Sequence, residues 1–225
     1  MVAVAAPPAL DSTVTGDDRR NAAGRTAREF FEGLWTEKDP WDLDTSELDQ
    51  RRYARQLELL SGRRYGRALE LGCGAGSFTR HLTGVCDSIV AVDVAPPAIA
   101  RARELRLERV DFRVANIMEL DIEHEGTWDL VVLTETAYYL GWLYPLFDVG
   151  WLAHSLCQAT NPGGRLLLAN TISGDDGIMS PWLVRTYRDL IANTGYEVEV
   201  EETMAGTKET VDFEILLSLF RRSPR

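Results

Sequence analysis

From Arg67 onward, two rhythms of apolar and polar positions alternate along the chain. Short continuous apolar runs predict strands at 67–72, 88–93, 110–114, 128–133 and 164–171. Between them, apolar positions recurring every three or four residues predict helices at roughly 76–83, 96–105 and 147–160. Strands read as buried on both faces and alternating with helices form a parallel sheet covered on each side. Asn161-Pro162-Gly163-Gly164 reads as the turn into the fifth strand. The rhythm then changes: a helix near 181–194 leads to Tyr196–Met204, and a turn containing Gly206 leads to Val211–Phe220. Two strands joined so closely must be antiparallel, so the sheet is expected to end in a hairpin. Upstream, Phe30, Phe31, Leu34 and Trp35 share one helical face, which Asp39-Pro40-Trp41-Asp42 interrupts. Thr45 or Ser46 then caps a second helix running to about Leu60, with Leu48, Tyr53, Leu57 and Leu60 on one side and Ser61-Gly62 closing it. Residues 1–24 show no periodicity and are expected to be a disordered leader. The remainder, 25–225, is expected to be one domain, a helical lid region at 25–62 and a core of alternating strands and helices at 63–225.

The bulk properties narrow the partners. Apolar and charged contents of 45% and 26% are ordinary for a globular chain. A formal charge of −11 argues against a nucleic-acid partner, because phosphate contacts need clustered Lys and Arg. It suits a neutral or cationic small molecule. Cys73, Cys86 and Cys157 are widely spaced with no C-x-x-C pair, so they read as reduced thiols of a cytoplasmic protein. Val2–Ala6 lacks a basic flank and stops at Pro7-Pro8, too short for a signal peptide. No apolar run approaches the ~20 residues of a membrane span.

The chemistry concentrates in Ala68–Phe78, where an apolar run ends in Glu70 and glycines follow at 72, 74 and 76. Glycines let a main chain turn sharply and come close to a ligand. A second apolar strand, Ile89–Asp93, ends in a carboxylate 17 residues past Gly76, placed to accept hydrogen bonds from ribose hydroxyls. A dinucleotide turn wants its last small residue three after the second glycine, where Ser77 stands. A phosphate loop needs Lys-Ser/Thr behind the glycines, and none is present. A glycine turn with no ligand is the bland alternative, and Asp93 weighs against it. The spacing E-x-G-x-G-x-G resembles the first motif of S-adenosylmethionine-dependent methyltransferases.

Within that superfamily the chain resembles the NodS-like family over roughly residues 30–225. The resemblance rests on Asp39-Pro40-Trp41-Asp42-Leu43-Asp44, Asp49-Gln50-Arg51-Arg52, Ala68–Thr79, Asp93–Ile99, Val131–Leu140 with Tyr138-Tyr139-Leu140, and Leu217–Arg222. It implies an α/β Rossmann-like class I methyltransferase fold: a seven-stranded, mostly parallel sheet with an antiparallel C-terminal hairpin and an N-terminal helical lid. The family's founding member N-methylates the free amine of a chitooligosaccharide. The resemblance implies S-adenosyl-L-methionine as cofactor and S-adenosyl-L-homocysteine as product. It implies that Glu70, Gly72, Gly74 and Gly76 cradle the cofactor, with Cys73, Phe78 and Thr134 beside it. Asp93 would hold the ribose, and Val94 and Ile117 would pack on adenine. Asn116 stands where the family usually has an acid contacting the adenine amino group, and its side-chain oxygen can accept the same bond. An exposed asparagine in a bare turn is the alternative.

Methyl transfer is an in-line displacement, and an amine attacks only when neutral. Glu135, after the fourth strand, is the first candidate to hold the acceptor and take its proton. The alternative is a carboxylate capping the helix that starts near Thr136. Tyr138 and Tyr139 are candidates for the acceptor pocket and for facing the sulfonium charge. Adjacent helix residues point about 100° apart, so one of the two is expected in the core. Trp41 is a candidate for closing the cofactor from the lid, and Arg52 for its carboxylate; an anchoring tryptophan and a solvated arginine are the alternatives. His81, His124 and His154 carry no catalytic signal. A metal site needs acids after both the fourth and fifth strands, and the fifth ends Leu168-Ala169-Asn170-Thr171, so no metal is expected. Trp142, Tyr144, Phe147 and Trp151 could line a hydrophobic aglycone pocket or a dimer face, or be core. The sequence reading is a small-molecule N-methyltransferase of an amino sugar or a related amine-bearing secondary metabolite, monomer or homodimer. An O-methyltransferase of a phenolic or sugar hydroxyl is the first alternative, and a catalytically silent cofactor-binding subunit the second.

Overall fold

The computed structural model describes the backbone of residues 16–173 and 180–223, with side chains from residue 21. Seven strands, β1 (Tyr65–Leu71), β2 (Cys86–Asp93), β3 (Val110–Val114), β4 (Trp128–Thr134), β5 (Thr160–Thr171), β6 (Tyr196–Lys208) and β7 (Val211–Arg222), form one sheet. Their order is β3-β2-β1-β4-β5-β7-β6. The first five are parallel, and β7 is inserted between β5 and β6, antiparallel to both. This is the class I methyltransferase architecture.

Helices α1 (Gly16–Leu34) and α2 (Glu47–Leu60) precede the sheet, and α3 (Thr79–Leu82), α4 (Pro96–Glu104), α5 (Ala137–Leu143), α6 (Leu146–Ala159) and α7 (Pro181–Ala192) join its strands. The core has two layers, because alternate side chains of a central strand face opposite sides. Leu69, Leu71, Val131, Leu133, Leu166 and Leu168 pack with Leu140 and Leu156. Ala68, Ile89, Ala91, Leu130, Val132 and Leu167 pack with Tyr53, Leu82 and Ile99. Among the described residues no helix is long and apolar enough to cross a membrane.

The structure departs from the pattern-based reading in four places. Of the expected leader, residues 1–15 lie outside the described residues, but residues 16–24 belong to α1. Ala23 is buried, and a side chain on Gly24 would lie 2.6 Å from Glu119 Oε1, so small residues let this helix lie close against the core. Such a face has no large apolar residues to show periodicity. The helix expected at 76–83 is a single turn, Thr79–Leu82. Residues 161–164, read as a turn, belong to β5, which starts at Thr160 with a register shift opposite Trp128 and Leu130. Gly206 is not in the hairpin turn but inside β6, where any Cβ would sit 2.3 Å from Leu48 Cδ1. The chain reverses at Glu209, which takes a φ of 55°.

Register collects the site. Leu71 stands level with both Val92 and Leu133, and Thr134 with Ala169, so the carboxyl ends of β1, β2, β4 and β5 reach one edge together. The connections leave β1 in opposite directions to β2 and β4, which opens a crevice at that edge.

Candidate active site

Glu70, the penultimate residue of β1, sits at the floor of the crevice. It is 3% exposed, and its Oε2 has no partner within ordinary hydrogen-bond geometry. Burial pushes its carboxyl up to about 8 against the pull of the nearby Thr79 hydroxyl, and the Asp93 charge adds to the rise. Gly72 turns the chain at a φ of 81°, and a Cβ there would lie 2.3 Å from Thr136 Oγ1, so glycine is required for the β1 and β4 ends to meet. The buried Cys73 thiol is pushed well above its usual range, first by burial and then by the Asp93 and Glu70 charges. Asp93 fastens the glycine turn: its Oδ2 accepts the Gly74 N–H and its Oδ1 the Ala95 N–H, each at 2.9 Å. Burial raises its carboxyl, against the pull of these backbone donors. Each oxygen keeps a second lone pair. Phe78 stacks on Tyr53, with ring centroids 5.3 Å apart.

Beyond β2 and β3 the wall is Val94, Ile117 and Asn116. The Asn116 oxygen accepts the Met118 N–H at 3.1 Å, and its amide donates to Glu119 Oε1 and the Tyr144 hydroxyl, each at 2.9 Å. Neither a bare-turn residue nor a fully open acceptor, it caps the turn Ile117–Glu119 and ties it to Tyr144.

The N-terminal helices form the roof. Trp35, just past the end of α1, lies over Gly74, whose Cβ would sit 2.9 Å from the indole, and meets Trp41 edge-on at 5.4 Å. Beneath α2 a chain of ionic groups crosses the crevice. Lys208 Nζ reaches Asp49 Oδ2 at 2.9 Å and also the Trp41 carbonyl. Asp49 Oδ1 meets Arg52 Nη2 at 2.7 Å, and Arg52 Nη1 meets Glu135 Oε1 at 2.6 Å. Burial works against the Arg52 charge, but Glu135, Tyr53 and Asp49 more than offset it, so its pKa is raised and the guanidinium stays protonated. Glu135 Oε1 also accepts the Thr171 N–H at 3.0 Å and its hydroxyl at 3.2 Å, and Oε2 accepts the Tyr138 hydroxyl at 2.9 Å. The Tyr138 phenol is held neutral by burial, with the Glu135 charge adding. Glu135 has a φ of 51°, a backbone state costing of order 1–3 kcal/mol for a residue with a Cβ. That strain aims the carboxylate back at Arg52.

Glu135 does not cap the following helix. Asn170 does: its buried side-chain oxygen accepts the Thr136 and Ala137 N–H groups, each at 3.0 Å. Tyr138 and Tyr139 are both buried with Ile172, Val184 and Leu216, and both also border the crevice, because α5 begins at the rim and presents its first turn to the opening. The expected aromatic cluster divides. Tyr144 borders the cavity, Trp142 packs on Phe30 and Tyr139, and Phe147 and Trp151 are 82% and 63% exposed on the outer face of α6.

All these walls border one crevice with about 1360 Å³ of empty space, counted out into the solvent at its open mouth. Every site residue singled out in the sequence borders it except Gly76, whose Cβ would point at Leu105 (2.8 Å) and Phe112 (3.3 Å) in the packing between α4 and β3. Sequence reasoning missed Trp35, Asp49, Thr171, Lys208, Phe213 and Ile215 as lining residues, along with the Asn170 cap. The one available signal was Asn170 itself, a polar residue closing the apolar run Leu166–Ala169. No histidine borders the cavity. Among the described residues no group of three or more His, Cys, Asp or Glu side chains is gathered as for a metal.

A family model described as Nodulation protein S (NodS) matches residues 26–145. Nodulation protein S of Sinorhizobium fredii is 32% identical over 141 residues, covering 61% of this chain and 63% of that protein. Its counterpart in Bradyrhizobium diazoefficiens is 42% identical over 107 residues, covering 45% of this chain and 49% of that protein. The chain thus spans about half to just under two thirds of the curated relatives it matches. Among solved structures, the N-methyltransferase NodS from Bradyrhizobium japonicum WM9 in complex with S-adenosyl-L-homocysteine superimposes with a TM-score of 0.74 at 25% identity, covering 87% of this chain and 98% of that one.

Proposed function

Because the chain belongs to the Nodulation protein S (NodS) family, we propose that it is an S-adenosylmethionine-dependent N-methyltransferase acting on a primary amine of a small molecule. The amino sugar expected from the family and a related amine-bearing metabolite both fall in that class. The observation that carries the reading is the junction of the glycine turn with Asp93, opposite a buried Glu70 oxygen that has no partner. The residues present fit the cofactor. Asp93 has lone pairs left for two ribose hydroxyls, and Val94 and Ile117 offer apolar faces for adenine. Glu70 Oε2 can accept a hydrogen bond from the ammonium of the amino-acid end, and the Tyr138 and Tyr139 rings suit a sulfonium.

When bound, the cofactor would supply an electrophilic methyl: in-line attack by the neutral amine lone pair would form the N–C bond as the S–C electron pair passes to sulfur, and the proton left on nitrogen would pass to bulk water as product departs. The chain's own work is alignment, which can lower such a barrier by ~7–11 kcal/mol. The crevice edge holds both reactants, and Trp35 and Trp41 exclude water from above. The segment 26–45 acts as a lid on a single domain that includes all of α1. The three cysteines are all buried and free, which supports a reducing, cytoplasmic setting. The acidic balance supports a small-molecule partner over nucleic acid, in a monomer or homodimer.

The test is calorimetric titration with S-adenosylhomocysteine and, separately, NADH. Saturable binding of the first and none of the second is expected. Tighter NADH binding would refute the reading.

A further inference from the structure

The sheet order divides the cavity. The cofactor groups sit over the ends of β3, β2, β1 and β4, which leaves the β4–β5–β7 side for the acceptor. Two strand spacings of about 4.8 Å give that side a width near ~10 Å, enough for one ring on a short chain. Its surface is Ile215 and Phe213 from β7 and Leu48 from α2, with Lys208 at the rim.

The polar groups on this side are already committed. Thr171 gives both its N–H and its hydroxyl to Glu135, and Tyr138 gives its hydroxyl there too. Asp49 lies between Arg52 and Lys208, and Lys208 also meets the Trp41 carbonyl. Two acids and two bases cancel, so no uncompensated charge faces the acceptor. The orphaned polar atoms among the lining residues are Glu70 Oε2, Thr134 Oγ1 and Arg52 Nε. Glu70 lies on β1, under the cofactor side; Thr134 and Arg52 lie at the β4 edge where the two sides meet, and none of the three lies on β5 or β7. A polyhydroxylated acceptor would shed water from several hydroxyls and meet Leu48, Phe213 and Ile215. Each hydroxyl left without a partner weakens binding by roughly tenfold or more.

We propose that the acceptor of this chain carries its amine on an apolar body, as in an arylalkyl or alkyl primary amine, and not on a sugar ring. The proposal rests on the N-methyltransferase reading above and names the substrate class of that site.

The full chain is assayed with S-adenosylmethionine on 2-phenylethylamine and on D-glucosamine, and both amines are titrated into the protein loaded with S-adenosylhomocysteine. Both kcat/KM and affinity should favour 2-phenylethylamine at least tenfold. Phe213→Ser should bring the two amines toward parity by weakening 2-phenylethylamine. Equal or better binding and turnover of D-glucosamine by the unaltered chain would overturn the proposal and leave N-methyl transfer standing. A tenfold binding preference for 2-phenylethylamine with no methyl on either nitrogen would uphold the apolar pocket and refute the N-methyltransferase reading.

Discussion

Replacing Glu70 with Gln removes one titration and keeps the shape of the crevice floor. In the folded chain burial lifts this carboxyl from 4.5 to about 8. Between those values the folded state holds a proton that the unfolded chain has released, so stability falls as pH rises. The contribution is complete below about pH 4.5 and lost by the time pH passes about 8. At 1.36 kcal/mol for each tenfold change in proton affinity, the whole loss is on the order of 5 kcal/mol. Glu70→Gln cannot ionise and escapes it. Urea unfolding of both proteins between pH 5 and pH 8.5 measures the difference directly, since Asp93 and His81 titrate in both and largely cancel. The variant should match the native chain near pH 5 and exceed it by a few kcal/mol at the alkaline end. Cofactor binding adds a second readout: an ammonium beside Glu70 favours the carboxylate, so binding at pH 7 should release a proton. Calorimetry in two buffers of different ionisation enthalpy detects that release, and Glu70→Gln should abolish it. Parallel stability profiles with no proton release would refute the placement of Glu70 as a buried neutral acid awaiting a cation.

Three further outcomes are expected. Asp93→Asn, which keeps the side-chain volume but loses charge-assisted bonds of ~1.5–3 kcal/mol each, should weaken S-adenosylhomocysteine binding at least tenfold by calorimetry; unchanged affinity would put the nucleoside elsewhere. Lys208→Ala frees the Trp41 carbonyl and Asp49 from the β6–β7 hairpin, so proteolysis within 36–45 should quicken in the ligand-free chain and slow again with S-adenosylhomocysteine. Glu135→Gln should lower steady-state turnover by no more than about tenfold, because the carboxylate is engaged with Arg52, Thr171 and Tyr138. A loss of about 10²–10⁴ would return to Glu135 the proton-accepting role read from the sequence.

What was legible in the sequence is what local patterning encodes. Apolar runs of period-less burial marked β1 to β5, the glycine spacing marked the turn at Gly72 and Gly74, and an acid closing the next apolar run marked Asp93. The unread parts depend on partners remote in sequence. Lys208 and Asp49 are 159 residues apart, and nothing near either residue signals the other. Asn170 caps α5 from 34 residues away, so the helix start at Thr136 carries no capping residue of its own. The early turns of α1 are built on Ala23, Gly24 and Ala27, whose small size serves close packing and leaves no hydrophobic periodicity. Gly76 matched the motif by spacing, and its positive φ sets it against Leu105 and Phe112 on the far side of the turn.

The central claim is most directly tested by following the methyl group. The full chain is incubated with methyl-labelled S-adenosylmethionine and 2-phenylethylamine, D-glucosamine and 4-ethylphenol together, and mass fragmentation locates the label. The account predicts label on amine nitrogen, with S-adenosylhomocysteine formed in equal amount. Label on the phenol oxygen alone, with both amines unmodified, would contradict it.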